Sequence, residues 1–142
     1  MPIRTAQARW VGDFTSGSGM IRTSRGGYEG TYTAASRFEE GPGANPEELV
    51  GAAHAACFSQ FLAKLLADAG SPPTSIETSA KVHLNRTDAG QTVTRIELDT
   101  VGEVSGIEEP EFVSYAENAK ANCPISRLLA PGVDIGLTAR LA

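Results

Sequence analysis

The sequence predicts an α+β fold, and three observations carry that prediction. Short strands broken by glycine fill the first third, a long helix of small residues follows, and the remainder runs strand pair, helix, closing strand. The order βββ–α–ββ–α–β offers hairpins and few βαβ crossovers, the pattern of antiparallel sheets with segregated helices. At 142 residues, with 41% hydrophobic and 20% charged side chains, the chain reads as a single domain, 1–142, large enough to bury a core.

Residues 5–11 (around Trp10), 20–23 and 28–33 read as strands, with Gly17, Gly19, Gly26 and Gly27 as turn residues. The segment Arg37-Phe-Glu-Glu-Gly-Pro-Gly-Ala44 reads as a loop. Asn45-Pro46-Glu47-Glu48 is the clearest start signal: an N-cap asparagine, a proline at the first helical position, and Glu48 placed to complete a capping box. Both carboxylates favour the positive end of the helix dipole. The helix is expected to run to about residue 69, with Gly70 as its stop and Pro72-Pro73 beyond. Between residues 49 and 58 its side chains are small or apolar around most of the circumference, which predicts a central helix.

Ile76, Thr78, Ala80, Val82 and Leu84 alternate with polar residues as a half-buried strand does. Asp88-Ala-Gly90 turns the chain, and residues 92–104 return with Ile96 and Leu98 on one face. Residues 111–121 read as a helix with Phe112, Ala116 and Ala119 inward, a stripe that Cys123 continues. Pro124 interrupts the ladder, residues 125–129 form a short further turn, and Val133, Ile135, Leu137, Ala139 and Leu141 alternate strictly in a final strand.

Charge and hydropathy exclude several classes. A net charge of −5 with only 12 Lys and Arg leaves no basic stripe for a nucleic-acid backbone. The start, Met1-Pro-Ile-Arg-Thr-Ala6, has no apolar core of a secretory signal, and the apolar run 49–58 is too short to span a bilayer. The expectation is a cytoplasmic protein with no membrane partner. In that reducing compartment a cysteine pair suits catalysis or metal binding better than a permanent cross-link.

Cys57 and Cys123 are the only thiols. Free cysteine is among the most buried residue types, so inert packing is the first reading of each. Cys57 lies about twelve positions past the helix start, beyond reach of the dipole, so a reactive thiolate there needs another cation. Arg37, shortly before the helix, is the candidate. A guanidinium about 4 Å from a thiolate contributes on the order of 4 kcal/mol at an effective dielectric near 20. At about 1.4 kcal/mol per pKa unit, that makes the thiolate the dominant form at neutral pH before desolvation subtracts. A solvated loop charge is the competing reading of Arg37. His54, Cys57, His83 and Cys123 are ligand types for zinc, but they lack finger or ribbon spacing and no CxxC exists, so no metal is expected. With no GxGxxG after a strand, no P-loop and no GxSxG, no organic cofactor is expected either.

Three segments together, Ser36-Arg-Phe-Glu-Glu40, Asn45-Pro-Glu-Glu-Leu-Val-Gly-Ala-Ala-His-Ala-Ala-Cys-Phe-Ser59 and Asn122-Cys-Pro-Ile-Ser126, resemble the OsmC/Ohr family of osmotically inducible and organic hydroperoxide resistance proteins. The resemblance extends over nearly the whole chain and is nearer the OsmC branch, because the arginine sits in the loop shortly before the long helix. It implies an intertwined homodimer in which antiparallel sheets wrap long central helices. It also implies a cysteine peroxidase for organic hydroperoxides and hydrogen peroxide. The peroxidatic role falls on Cys57, the resolving role on Cys123, and the supporting ion pair on Arg37 and Glu47, with Glu48 a lesser candidate. The implied reductant is a dithiol such as a lipoylated protein. A non-catalytic redox sensor and a metal-binding dimer are the competing functions. Glu47 and Cys57 are ten residues apart, about 15 Å of helical rise, so the expectation is that Glu47, with Arg37, serves Cys57 of a second chain.

Overall fold

The glycine-rich first third folds into a three-stranded antiparallel meander, β1 (Ala6–Val11), β2 (Ser18–Thr23) and β3 (Glu29–Tyr32), in that spatial order. The computed structural model describes residues 1–142, divided into two units, Met1–Leu49 and Val50–Ala142. In the first unit Trp10 pairs with Gly19, and Gly19 pairs with Tyr32. Gly19 is required there because a Cβ would lie 2.3 Å from Cε1 of Tyr32. Without it, the Trp10 and Tyr32 rings meet over the middle strand at 5.3 Å between centroids.

The segment expected as a loop from residue 37 begins inside a helix, α1 (Ala34–Phe38). Its cap is a reciprocal pair: the Ser36 amide donates to Thr33 Oγ1 at 3.1 Å and the Thr33 amide donates to Ser36 Oγ at 2.9 Å. Five residues carry no apolar period to read, so the hydroxyl pair was the only available signal.

The long helix α2 spans Pro46–Asp68, and the boundary between units falls within it. Asn45 caps it as expected, its Oδ1 accepting from the Glu48 amide at 2.7 Å, though no return bond from the Glu48 carboxylate forms. Only one stripe, Gly51, His54, Phe58, Leu62 and Leu66, is buried. Ala52, Ala53 and Ala56 are exposed, so the expected burial all round is met on one face within a single chain. All 23 residues together are apolar enough to cross a bilayer by composition, with a mean hydropathy of 1.4 over one stretch, whereas the sequence reading weighed only residues 49–58. A helix with one face committed to a protein core and a buried histidine bonded within it is built as a core helix.

In the second unit β4 (Ser75–Thr87) and β5 (Gly90–Glu103) form an antiparallel hairpin with a register shift at His83/Leu84. Gly90 turns it at a positive φ of 103°. β6 (Asp134–Leu141) then pairs with β5 in parallel. This departs from the expected all-antiparallel sheets. Alternation reports which face is buried and not strand direction, whereas α3 (Glu109–Asn122) and α4 (Pro124–Leu129) supply the length that a parallel crossover needs. The core gathers Phe58, Leu62 and Leu66 of α2, Ile96 and Leu98 of β5, and Phe112, Ala116 and Ala119 of α3, together with Cys123.

Gly102 on β5 faces the Phe112 ring, where a Cβ would sit 2.4 Å from Cε2. Gly102→Ala is therefore expected to lower stability by about 1–3 kcal/mol through overpacking, read as a lower urea midpoint at unchanged slope.

Candidate active site

Local geometry in the first unit fixes Arg37 against Glu47. Ser36 Oγ donates to the Ala44 carbonyl at 2.7 Å, Asn45 Nδ2 donates to the Ser36 carbonyl at 3.3 Å, and the Ala44 amide donates to the Thr31 carbonyl at 2.8 Å. These bonds fold the 39–44 turn back on α1, with Gly43 at φ 119° where any Cβ would press on the Thr31 carbonyl at 2.9 Å. Arg37, in the last turn of α1, then reaches the first turn of α2. Its Nη2 donates to Glu47 Oε1 at 2.7 Å and its Nε to Oε1 and Oε2 at 3.1 and 3.2 Å. The arginine side chain is 37% exposed and the glutamate 13%. A pair this open contributes about 1 kcal/mol or less to stability, so its value is positional. Glu48 is exposed and takes no part in the pair.

Around the guanidinium lies an aromatic cleft of about 430 Å³ lined by Trp10, Phe14, Tyr32, Arg37 and Phe38. Phe14 and Phe38 are 63% and 42% exposed and 6.0 Å apart, and the Arg37 guanidinium sits 5.1 Å from the Phe38 ring centroid. Phe58, the aromatic residue beside Cys57 in the sequence, is fully buried in the core. Aromatic residues left in a glycine-rich segment with no strand period were the signal available for Phe14 and Phe38.

In the second unit a proline brings the two thiols together. Pro124 disfavours a helical conformation at the preceding residue, so Cys123 adopts φ −62°, ψ 141°, ending α3 and capping α4. Its amide still donates to the Ala119 carbonyl at 2.9 Å, and its sulfur accepts from the Ser126 amide at 3.4 Å. Cys123 is fully buried and Cys57 half-buried, and both are free thiols. Burial is the largest influence on Cys57 and pushes its pKa up. A backbone hydrogen bond from Ile125 pulls it down, while the neighbouring Cys123 thiol pushes it further up by hydrogen bonding and charge.

His54, one helical turn before Cys57, is fully buried; its Nε2 and the Ser126 hydroxyl are 2.7 Å apart, and the Cys123 thiol donates to Ser126 Oγ at 3.1 Å. The sequence offers His54 only as a zinc-ligand type and gives Ser126 no role. Seventy-two positions separate the two, so only the fold could join them. His83 pairs instead with Glu97 across β4 and β5 at 2.6 Å. No group of three or more His, Cys, Asp or Glu side chains is placed to hold a metal ion.

The sequence profile of OsmC-like proteins matches residues 39–138. The chain belongs to the OsmC-like family. It is 45% identical to the peroxiredoxin OsmC of Escherichia coli (strain K12) over 127 residues, 89% of each chain, and equally so to that of Shigella flexneri. Among solved structures, an organic hydroperoxide resistance protein OsmC of Legionella pneumophila superposes with a TM-score of 0.79 at 22% identity, covering 99% of both chains. The organic hydroperoxide resistance protein OhrB of Bacillus subtilis gives 0.75 at 22% identity, covering 96% of this chain and 98% of that one. These two structures share the fold of this OsmC-like chain.

Burial also holds the His54 pKa below its ordinary value. The unfolded chain then binds a proton near pH 6.5 that the folded chain rejects, so this contribution is complete above about 6.5 and is lost as pH falls toward the folded value. Urea unfolding is expected to show stability dropping as pH falls below about 6.5, by up to about 1.4 kcal/mol per pH unit, with a smaller drop in His54→Gln.

Proposed function

We propose that this cysteine-based peroxidase reduces organic hydroperoxides through Cys57 as nucleophile and Cys123 as resolving thiol. The peroxidase class rests on the family and on the 45% identity to peroxiredoxin OsmC. The residue assignment rests above all on the two thiols being neighbours at the Pro124 elbow, where the Cys123 thiol acts on Cys57. Cys57 thiolate attacks the peroxide O–O bond, releases an alcohol and becomes a sulfenic acid; Cys123 condenses with it, releasing water and leaving a disulfide for a dithiol reductant. Organic substrates are favoured over hydrogen peroxide by the aromatic cleft that flanks Arg37, which offers an alkyl chain a surface that water-like peroxide does not use.

Burial raises the Cys57 pKa, so the nucleophile needs a cation. Arg37 is the proposed source, oriented by the bidentate bond to Glu47. The exposed alanine face of α2 fits a homodimer in which two such helices pack, the start of one reaching the middle of the other. In that arrangement Arg37 and Glu47, held together within one chain, serve Cys57 of its partner.

Cys57→Ser is expected to abolish turnover with tert-butyl hydroperoxide and a dithiol, whereas Cys123→Ser consumes about one peroxide per subunit and then stalls or over-oxidises. Near-normal turnover of Cys57→Ser would reject the nucleophile. For the shared site, Cys57→Ser and Glu47→Ala proteins unfolded and refolded together form heterodimers with one intact site if the residues act in trans. Heterodimers demonstrably present yet no more active than the mutant homodimers would place the residues in cis.

A further inference from the structure

We infer that Ser126 and His54 form a proton relay that accepts the Cys123 thiol proton as Cys123 attacks the sulfenic acid of Cys57. The inference rests on the peroxidase reading and adds to it a base for the resolving step. Cys123 is fully buried, so its proton has to leave through a neighbouring group rather than directly to solvent. The neighbour is in place: the thiol donates to Ser126 Oγ at 3.1 Å, and that hydroxyl lies 2.7 Å from His54 Nε2, to which it can donate. The Ser126 amide donates to the Cys123 sulfur at 3.4 Å, a bond that strengthens as the sulfur gains charge.

The second observation is the other nitrogen of the ring. His54 is fully buried and its Nδ1 has no hydrogen-bond partner. A histidine serving only as filler would ordinarily have both nitrogens satisfied or be replaced by an apolar residue. Here nothing locks the tautomer, so Nε2 is free to accept from Ser126. Burial keeps the ring neutral at rest, ready to take a proton rather than already carrying one. The titratable groups packed with this core are the two thiols and Tyr115 of α3; the other core residues from β5 and α3, including Ile96, Leu98, Phe112 and Ala116, carry no charge.

The step balances. The Cys123–Cys57 S–S bond forms as the Cys57 S–O bond breaks, its electron pair leaving with hydroxide. Cys123 sulfur is oxidised and Cys57 sulfur reduced. The proton passes from Cys123 through Ser126 to His54, and the relay returns it to the departing hydroxide, which leaves as water. Ser126 touches the reacting sulfur and is a catalytic residue; His54 acts through it and is a positioning residue.

The test separates the two chemical steps. Reduced wild type, Ser126→Ala and His54→Gln are mixed with tert-butyl hydroperoxide, quenched over time, and analysed by mass spectrometry for Cys57 sulfenic acid and the Cys57–Cys123 disulfide. Gln at 54 retains a hydrogen-bonding group for Ser126 without a basic nitrogen. Both variants are expected to form the sulfenic acid but to close the disulfide about 100-fold more slowly near neutral pH, the low end of general acid–base contributions. Their closure should accelerate by up to about tenfold per pH unit as hydroxide takes over removal of the proton, while wild type varies much less. Closure at the wild-type rate in either variant, or a slowing equal at every pH, would overturn the relay. Should Ser126→Ala fail to fold, His54→Gln and the wild-type profile decide, since a tenfold rise per pH unit in wild type itself also overturns it. Absence of Cys57 sulfenic acid in wild type would reject the peroxidase assignment, and the relay with it.

Discussion

Desolvation of Cys57 is the constraint around which the second unit is built. A thiol half-buried among core side chains resists ionisation, yet only the thiolate is a useful nucleophile. The neighbouring Cys123 makes this worse, because charge on one sulfur opposes charge on the other. A backbone hydrogen bond from Ile125 is the one local influence in the opposite direction. A single amide donor does not offset both, which is why an arginine is needed in the proposed site and why its direction must be held. An unconstrained guanidinium would be solvated; bonded through Nε and Nη2 to Glu47, it keeps one face of the planar fork committed and the other free.

Pro124 is the covalent counterpart of that constraint. By excluding the helical conformation at Cys123, it ends α3, starts α4, and turns the sulfur inward at the junction. The amides of Ile125 and Ser126 then point at the two sulfurs, one each. A continuous helix through residue 123 would have spent those amides on carbonyls of the preceding turn. Closeness of the thiols and donation to them are thus two results of one residue.

The sequence made the regular elements legible and left the joints obscure. The inward stripe Phe112, Ala116, Ala119 and Cys123 was readable because helix period and burial coincide, and all four are fully buried. The β4 alternation was readable for the same reason. The parallel pairing of β5 with β6 was not, since period-two patterning carries no direction. Arg37 was placed in a loop because α1 is too short to show a period and is capped by the Thr33 and Ser36 hydroxyls. Cys57, Cys123, Arg37 and Glu47 were named as site residues from motif likeness; the bidentate geometry joining Arg37 to Glu47 depends on the 39–44 turn, and the His54–Ser126 link on residues far apart in the chain.

Two buried polar chains in the second unit show how differently the fold treats structure and chemistry. Ser59, Thr78 and Thr100 join α2 to the β4–β5 hairpin through hydroxyl bonds of 2.7 and 2.9 Å, and Thr100 is fully buried with its oxygen satisfied. Hydroxyls suit that place because each can donate and accept, so Thr78 bonds to both of its neighbours. The His54–Ser126–Cys123 chain ends instead on a bare Nδ1, the one buried side-chain polar atom without a partner. Leaving such an atom unmet costs about 1–3 kcal/mol, which a leucine or methionine at position 54 would have avoided. A fold that satisfies its structural hydroxyls elsewhere in the same unit has the means to avoid the cost, and tolerates it where the proposed relay needs a basic nitrogen.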